Sequence, residues 1–249
     1  MVYGLRRTPM LKKIAPSVQL SCLTCEARKF AWFQSGTDDQ LRVRQSLRTG
    51  QYKLAANNYL FMEGDQHHTS YTLKQGWAIC YKQLKDGRRQ IVHIALPGDF
   101  LGYKTDPNAP IDYSVKAVSE CMLCSFSEKN INQLLLTDVD LIHRLIAIQT
   151  KQSKVCRAKL SYVGQSQAKN KIASFLLDLV TRLQRRGVDV TSNVHLPLSR
   201  IDIADAIGVT PVHLGRVSVE LSQQGIVECR YNILRVKDFE ALKHLADCC

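Results

Sequence analysis

The residues of this chain best suited to chemistry are its nine cysteines, which are unevenly distributed along the sequence. Two residues separate Cys22 from Cys25, and two separate Cys121 from Cys124. The others are Cys80, Cys156, Cys229, Cys248 and Cys249. In a chain without a disulfide framework, cysteines serve metal binding, redox chemistry or simple packing. The spacing alone leaves all three interpretations open.

Near the C-terminal end, an arginine and its polar neighbours suit a different chemistry, the recognition of DNA. The guanidinium of Arg216 could donate two hydrogen bonds to guanine O6 and N7, the commonest base-specific contact. The hydroxyls of Ser199 and Thr210 and the guanidinium of Arg200 are suited to DNA phosphates. Contacts to phosphates fix the register of the protein on DNA without reading the base sequence. The residues that we expect at DNA are Ser199, Arg200, Thr210, Val212, His213, Gly215 and Arg216.

No catalytic constellation is legible, so we expect that the protein is not an enzyme. A metal site of the cupin type needs clustered His and Glu, whereas His67 and His68 lie beside a turn and His93 stands alone in a strand pattern. The other alternative that is not an enzyme is a protein that binds a small molecule and uses its C-terminal helices mainly for assembly.

The composition is that of an ordinary globular protein, and the basic net charge suits polyanion binding, although basic proteins need not bind nucleic acid. It has 249 residues, a net charge of +12 and 22% charged residues. Residues 1–50 carry 9 basic and 3 acidic side chains, so charge alone does not locate a DNA-reading domain. No apolar run approaches the roughly 18 residues of a membrane span, and Lys12, Lys13 and Pro16 interrupt any signal core. We therefore expect a cytoplasmic protein.

The segment from about Gln51 to Phe126 has the pattern of many short strands. Turn signals such as Glu63-Gly64-Asp65 and Asp86-Gly87 separate alternating runs, for instance residues 90–96. Short strands at this spacing predict a β-sandwich or jelly roll.

The pattern then changes to a helical period from about Asp138 to Val163. Such a helix would be about 38 Å long, which exceeds one small domain. It packs either lengthwise on its own domain or on its symmetry mate in a dimer, the interpretation we favour. One stripe along it is unusually polar: Gln149, Ser153, Cys156 and Leu160.

A second helix from Ala168 to about Arg186 leads into a helix-turn-helix. Ser199 is a candidate N-cap for a helix that reaches Ile207, the turn follows, and Pro211 opens the next helix. Residues 228–236 then alternate as a small β-hairpin wing would. This order places the second helix in the major groove of DNA. The alternative is a structural helical hairpin with an incidental surface arginine.

Together these motifs resemble the Crp/Fnr family of bacterial transcription regulators over roughly residues 20–245. Residues 60–65, 86–90 and 96–102 resemble the turns of its β-roll, and residues 203–216 its helix-turn-helix. The resemblance implies a homodimer that binds a palindromic operator and contacts RNA polymerase. It favours an activator over a repressor.

The sequence departs from the family in two places. One concerns the ligand of the β-roll, and the other concerns the half-site of the DNA operator. The cyclic-nucleotide branch has a Gly-Glu pair and a phosphate-binding arginine, but here Asp112-Tyr113-Ser114 offers no arginine before Ser114. We therefore do not expect cAMP binding. In the recognition helix, Val212 stands where many relatives have Glu and Gly215 where several have Ser, so the half-site should differ in part.

The cysteines resemble those of the oxygen-sensing Fnr branch, in which an N-terminal set and one cysteine in the roll hold a [4Fe–4S] cluster. Cys22, Cys25 and Cys124 match three of those positions, and thiolates suit iron–sulfur clusters. The places for a further N-terminal cysteine hold Ala31 and Phe33.

Several explanations for the missing cysteine remain open. A non-cysteine fourth ligand could be Glu26, Asp38 or His93, and Cys121 could substitute although it faces opposite to Cys124. Zinc lacks a convincing fourth ligand. Otherwise the cluster has been lost, which leaves a thiol- or small-molecule-responsive regulator or cysteines without a role.

These observations predict an α+β protein: an N-terminal antiparallel β-roll of the cyclic-nucleotide-binding type, a long dimerisation helix and a C-terminal winged helix-turn-helix. The expected divisions are 1–44 for the segment with the CxxC pair and 45–136 for the sensory roll. The dimerisation helix follows at 137–165, and the DNA-binding domain at 166–249.

Overall fold

The computed structural model describes residues 11–32, 36–165, 168–230 and 232–247. The chain divides into two compact units, residues 1–149 and 150–249. No helix in these described ranges is long and apolar enough to cross a membrane.

The first unit is a β-roll of two antiparallel sheets. The strands are β1 Lys12–Lys13, β2 Gly50–Leu54, β3 Tyr59–Phe61, β4 Thr69–Gln75, β5 Ala78–Gln83, β6 Arg89–Ala95, β7 Phe100–Leu101, β8 Ser114–Ala117 and β9 Cys121–Ser127. One sheet has the strand order β1-β2-β9-β4-β7 and the other β3-β8-β5-β6.

Apolar side chains from both sheets form the core inside the roll, which includes Leu54, Leu73, Val115 and Leu123. Successive residues of a strand point to opposite faces, so β9 also contributes to a second core outside the roll. There Phe126 packs with Trp32 and with residues of the helices that follow. The five-stranded sheet is therefore buried on both faces along β9.

Glycine is required at the turn between β4 and β5. Gly76 has φ of +88°, and a Cβ there would lie 2.1 Å from the Glu120 carbonyl oxygen. Only glycine adopts that backbone conformation without strain and allows such a close approach.

Helices of the first unit cover the outer face of the sheet. Two 3₁₀ helices, Pro16–Val18 and Glu26–Phe30, precede α1 (Asp38–Ser46), which Thr37 and Gln40 begin as a capping box. The long helix of the sequence prediction is present as α3 (Val139–Gln165), which follows α2 (Glu128–Thr137) and of which only the part up to Gln149 belongs to the first unit. The side chains of Cys156 and Leu160 on its polar stripe lie outside the described residues.

An ion pair fastens α1 to the junction of α2 and α3. The Arg44 guanidinium is 2% exposed and donates to the Asp138 carboxylate from both Nε (3.1 Å) and Nη2 (2.5 Å). Nearby, the Trp32 indole N–H donates to the Leu141 carbonyl at 2.9 Å. These two contacts hold the N-terminal segment against the roll.

The second unit is a helical domain with a three-stranded sheet of order β10-β12-β11. Its elements are α4 Ala168–Gln184, β10 Val194–His195, α5 Arg200–Ile207, α6 Pro211–Gln223, β11 Val227–Arg230, β12 Ile233–Val236 and α7 Phe239–Asp247. Helix, turn, helix and β-hairpin follow in the predicted order. Together the two units give the predicted fold class.

Candidate functional site

Local hydrogen bonds set the positions of α5 and α6. The Ser199 hydroxyl accepts from the Asp202 N–H at 3.0 Å, and the Asp202 carboxylate accepts from the Ser199 N–H at 2.9 Å, which is a capping box. The Thr210 hydroxyl accepts from the His213 N–H at 3.2 Å and caps α6. Both hydroxyls that we expected at phosphates thus also begin helices.

Gly208 makes the turn between the two helices, with φ of +77° at the end of α5. Leu214, Val217 and Leu221 then face the core of the second unit, because they recur at helical spacing.

The opposite face of α6 carries the remaining candidate residues. Val212 is 67% exposed, and His213 and Arg216 are also exposed. Arg200 is exposed at the start of α5. The structure thus brings an apolar, an aromatic and two cationic side chains to the surface of one helix-turn-helix.

In the first unit, the three candidate cysteines lie where the N-terminal segment crosses the outer face of the sheet. Cys124 on β9 is 9% exposed and accepts a hydrogen bond from Gln51 Nε2 to its sulfur at 3.4 Å. The Gln51 side-chain amide also accepts a hydrogen bond from the Leu20 N–H (3.0 Å) and donates one to the Leu20 carbonyl (3.1 Å). One glutamine therefore links the Cys124 thiol to the segment that carries Cys22.

Cys22 is fixed from the side of α1 and the following turn. Its N–H donates to Gln45 Oε1 at 2.6 Å, and Arg48 Nη1 lies 3.9 Å from its sulfur. The Cys25 N–H bonds the Cys22 carbonyl at 3.4 Å, which folds the CxxC pair into a turn.

The three candidate cysteines and Arg48 influence the pKa values of Cys22 and Cys124. Burial raises the pKa of Cys22, Arg48 lowers it, and the negative charges of Cys124 and Cys25 raise it further. Burial likewise raises the pKa of Cys124, while Arg48 and the Gln51 hydrogen bond lower it. Thiolates here thus depend on nearby cations for stabilisation.

Three buried polar atoms beside these thiols have no hydrogen-bond partner in the described part of the chain. They are Arg28 Nε, Thr72 Oγ1 and Lys74 Nζ. Thr72 on β4 lies directly opposite Cys124 on the neighbouring strand β9, and the charge of Lys74 lowers the pKa of Cys124. Buried donors almost always have a hydrogen-bond partner. These three atoms therefore favour the binding of an anionic group that contacts both them and the thiols.

The donor set fits three corners of an iron–sulfur cluster: three thiols, adjacent cations and unsatisfied donors. Within the described ranges, however, no three His, Cys, Asp or Glu residues lie close enough together to hold a metal ion as they stand. Ala31, at one place for the missing cysteine, is buried, and Phe33 lies outside the described residues.

Cys121 points away from this group, into the roll. Its thiol donates to the Trp77 carbonyl at 3.2 Å, and burial raises its pKa to about 12. It therefore does not supply a fourth ligand.

The other candidate ligands have partners elsewhere. Glu26 pairs with Lys29 at 2.6 Å on the surface, and His93 pairs with Asp99 at 2.8 Å. Asp38 is the first residue of α1. Glu26 and His93 therefore pair with side chains other than the thiols.

Inside the roll, Tyr113 directly precedes β8, which begins at Ser114. The Gly102 N–H donates to the Tyr113 hydroxyl at 2.9 Å, and burial raises the pKa of that phenol. The Tyr113 ring packs edge-on against Phe61 with centroids 5.5 Å apart. Both the hydroxyl and the ring of Tyr113 are thus engaged inside the roll.

Comparison with known proteins assigns both units. The Crp-like helix-turn-helix domain family matches residues 170–245, and the cyclic nucleotide-binding domain family matches residues 51–138. The FixK2 structure from Bradyrhizobium japonicum superposes with a TM-score of 0.71 at 24% identity, covering 80% of this chain and 96% of that one. This likeness shows the fold.

Curated relatives span most of the chain. The transcriptional activatory protein AadR of Rhodopseudomonas palustris is 32% identical over 204 residues, which are 81% of this chain and 82% of AadR. The nitrogen fixation regulation protein FixK of Bradyrhizobium diazoefficiens is 29% identical over 90% of this chain and 93% of its own. The transcriptional activator protein FnrL of Cereibacter sphaeroides is 25% identical, over 83% and 79%. The chain is a DNA-binding transcription regulator rather than an enzyme, and it belongs to the Fnr-like branch of the Crp/Fnr family.

Proposed function

We propose that this regulator acts in the cytoplasm as a homodimer on a palindromic operator, contacts RNA polymerase and activates transcription. The relatives described as activators support activation. A dimer places two recognition helices in successive major grooves, about 34 Å apart, so its operator has two-fold symmetry. The exposed face of α6 is the observation that carries the proposal.

Each residue of that face has a distinct role in the proposal. Arg216 reads a guanine, and the apolar side chain of Val212 suits a thymine methyl group. His213 and the capped N-termini at Ser199 and Thr210 lie where phosphates would fix register.

We further propose that Cys22, Cys25 and Cys124 hold a [4Fe–4S] cluster, through which the regulator senses oxygen. The unsatisfied Arg28, Thr72 and Lys74 beside the thiols support the proposal. A cluster with one corner free of thiolate would supply a metal centre that is open to oxygen and easily lost. Arg28, Arg48 and Lys74 would balance its negative charge.

The cluster would act by tying the N-terminal segment to the sheet. Cys22 and Cys25 belong to that segment, whereas Cys124 belongs to β9. Between β1 and Trp32, which are held by β2 and by the Leu141 carbonyl, hydrogen bonds with Gln45, Arg48 and Gln51 also link the segment to the rest of the unit. We propose that release of the segment shifts the dimer away from its DNA-binding form.

Purification without air tests the sensing proposal. We expect brown protein that contains iron and sulfide, and that loses both its colour and its operator binding on exposure to air. Colourless, iron-free protein that binds the operator equally with and without air would refute sensing by a cluster and leave the DNA proposal intact.

A regulator that senses through thiols without a cluster is the second candidate, because the charges of Cys25 and Cys124 both act on the thiol of Cys22. It predicts iron-free protein whose operator binding changes on mild oxidation and recovers with a dithiol reductant. Mass measurement after alkylation would then find a disulfide between two of the three cysteines.

We expect no response to cAMP. A ligand at 100 times its dissociation constant stabilises the native state by about 2.7 kcal/mol, which corresponds to a melting shift of roughly 5–10 °C. Tyr113 fills the place of the phosphate-binding arginine, so no shift should appear in a thermal melt. A cAMP-binding relative is the positive control, and a shift of several degrees in this protein would show that the roll binds the nucleotide.

A further inference from the structure

Four side chains form one row across the outer face of the five-stranded sheet. Gln51 on β2 lies opposite Cys124 on β9, and Cys124 lies opposite Thr72 on β4. Thr72 in turn lies opposite Phe100 on β7. Residues directly opposite each other on antiparallel strands point to the same face, with Cβ atoms about 4.5–5.5 Å apart. The Thr72 side chain therefore stands next to the Cys124 thiol.

The N-terminal segment runs along this row. At one end Leu20 bonds the side chain of Gln51, and at the other end the ring of Trp32 packs on Phe100 with centroids 4.9 Å apart. Between these ends lie the CxxC pair and the 3₁₀ helix Glu26–Phe30. The segment therefore passes over the middle of the row.

The turn between β6 and β7 holds that 3₁₀ helix against β4. The Gly98 N–H donates to the Leu73 carbonyl at 2.7 Å, and a Cβ on Gly98 would lie 2.6 Å from the Cβ of Phe30. Gly98 also has φ of +99°, so only glycine allows this close approach without strain. The helix is thus fixed beside Leu73, the neighbour of Thr72 on β4.

The hydroxyl of Thr72 lacks the partner that a buried hydroxyl needs. Thr72 is 6% exposed, and its Oγ1 makes no hydrogen bond with any residue that the structure describes. By contrast, the Ser125 hydroxyl on β9 pairs with Thr49 Oγ1 at 2.6 Å. An unpartnered buried hydroxyl costs free energy that a valine of the same shape would not. The Thr72 hydroxyl therefore points to a ligand that supplies the partner.

Two cationic atoms near the thiols are also buried without a partner, namely Arg28 Nε and Lys74 Nζ. The charge of Arg28 acts on Cys22, and that of Lys74 acts on Cys124. Neither a guanidinium nor an ammonium has a lone pair to donate. These two groups can balance the charge of an anionic cluster but cannot bind its iron, whereas the Thr72 oxygen can do so.

We propose that Thr72 is the fourth protein ligand of the cluster, with its hydroxyl oxygen at the iron corner that the three thiolates leave free. The neutral oxygen donates a lone pair to the iron, so no covalent bond breaks and no proton or electron is transferred. Because an oxygen donor suits this iron less well than a thiolate, the Thr72 corner is the first to open. The inference rests on the proposed cluster and names the ligand that the cysteine count leaves missing.

The test compares Thr72→Val, Thr72→Ser and Thr72→Cys in the full chain purified without air, with Thr137→Val on α2 as the matched control. Changes beside a metal typically weaken its binding 10–100-fold, so a colorimetric chelator should remove iron from Thr72→Val about tenfold faster than from the wild type. Thr72→Ser keeps the oxygen and should match the wild type, as should Thr137→Val. Thr72→Cys should retain its iron longer than the wild type.

Melting temperatures with and without iron separate a ligand from a threonine that only packs. In the iron-free chain, Thr72→Val should melt at or above the wild-type temperature, because it removes an unsatisfied hydroxyl. In the iron-loaded chain it should melt below the wild type, because the bound group stabilises the native state less. A lower melting temperature in both forms, or equally fast iron release from Thr72→Ser, would assign Thr72 to packing and overturn the inference.

Iron content separates this inference from the cluster proposal. If the wild type holds iron that depends on the three cysteines, but Thr72→Val releases it at the wild-type rate, the Thr72 inference alone fails. If the wild type purified without air contains no iron, both proposals fail.

Discussion

The Arg216→Ala variant is expected to bind its operator little better than random DNA. A bidentate arginine–guanine pair discriminates by about 1–3 kcal/mol, and a dimer loses two such pairs. Specific affinity should therefore fall roughly thirty-fold to twenty-thousand-fold. Binding to random DNA should change little, since it depends mainly on phosphate contacts. Titrations with both DNAs at one fixed salt concentration measure the difference.

Arg216 is exposed, so its loss should leave the fold intact, and the variant should melt at the wild-type temperature. Gln223→Ala, also exposed on α6, is the control and should keep full operator preference. If Arg216→Ala retained wild-type discrimination between operator and random DNA, the assignment of Arg216 as the guanine-reading residue would be wrong.

Iron content should respond just as sharply to the three cysteines. Cys22→Ser, Cys25→Ser and Cys124→Ser should each lose most of the iron and sulfide of anaerobic protein, because a site with three thiolates has none to spare. Cys229→Ser, in the second unit, should retain both. Wild-type iron in all three variants would exclude these cysteines as ligands.

The position of Ala31 offers a complementary gain-of-function variant. If Ala31→Cys supplies the missing thiolate, the colour of the protein should persist longer in air than that of the wild type, since four thiolates leave no open corner. A variant with the same iron content and the same rate of bleaching would show that position 31 does not reach the cluster site.

The helix-turn-helix could be predicted nearly residue by residue because its signals are local. The Ser199 cap, the Gly208 turn and Pro211 each act within a few residues, and α5 and α6 begin where these residues predict. The roll was predictable as a class from its turn glycines. Its register was not, because pairing joins distant segments such as β2 and β9.

The elements absent from the sequence prediction were of two kinds. The capping box of Thr37 and Gln40 is a local signal that could have revealed α1. By contrast, α7 gains its stability from packing on α4, and periodicity alone indicates such a short helix poorly.

The surroundings of the thiols depended on tertiary structure. The roles of Gln51, Thr72 and Lys74 follow from strand pairing and burial, neither of which the CxxC spacing contains. The same holds for the Arg44–Asp138 pair, whose members are 94 residues apart in sequence.

The most direct test of the account is the selection of bound duplexes from random DNA by the anaerobically purified chain. A homodimer that places one recognition helix in each half-site predicts an inverted repeat with half-site centres about 10–10.5 base pairs apart. Each half should contain a guanine whose enrichment disappears with Arg216→Ala, and each duplex should bind two protein chains. Recovery of no common sequence, or of a single half-site bound by one chain, would contradict the account.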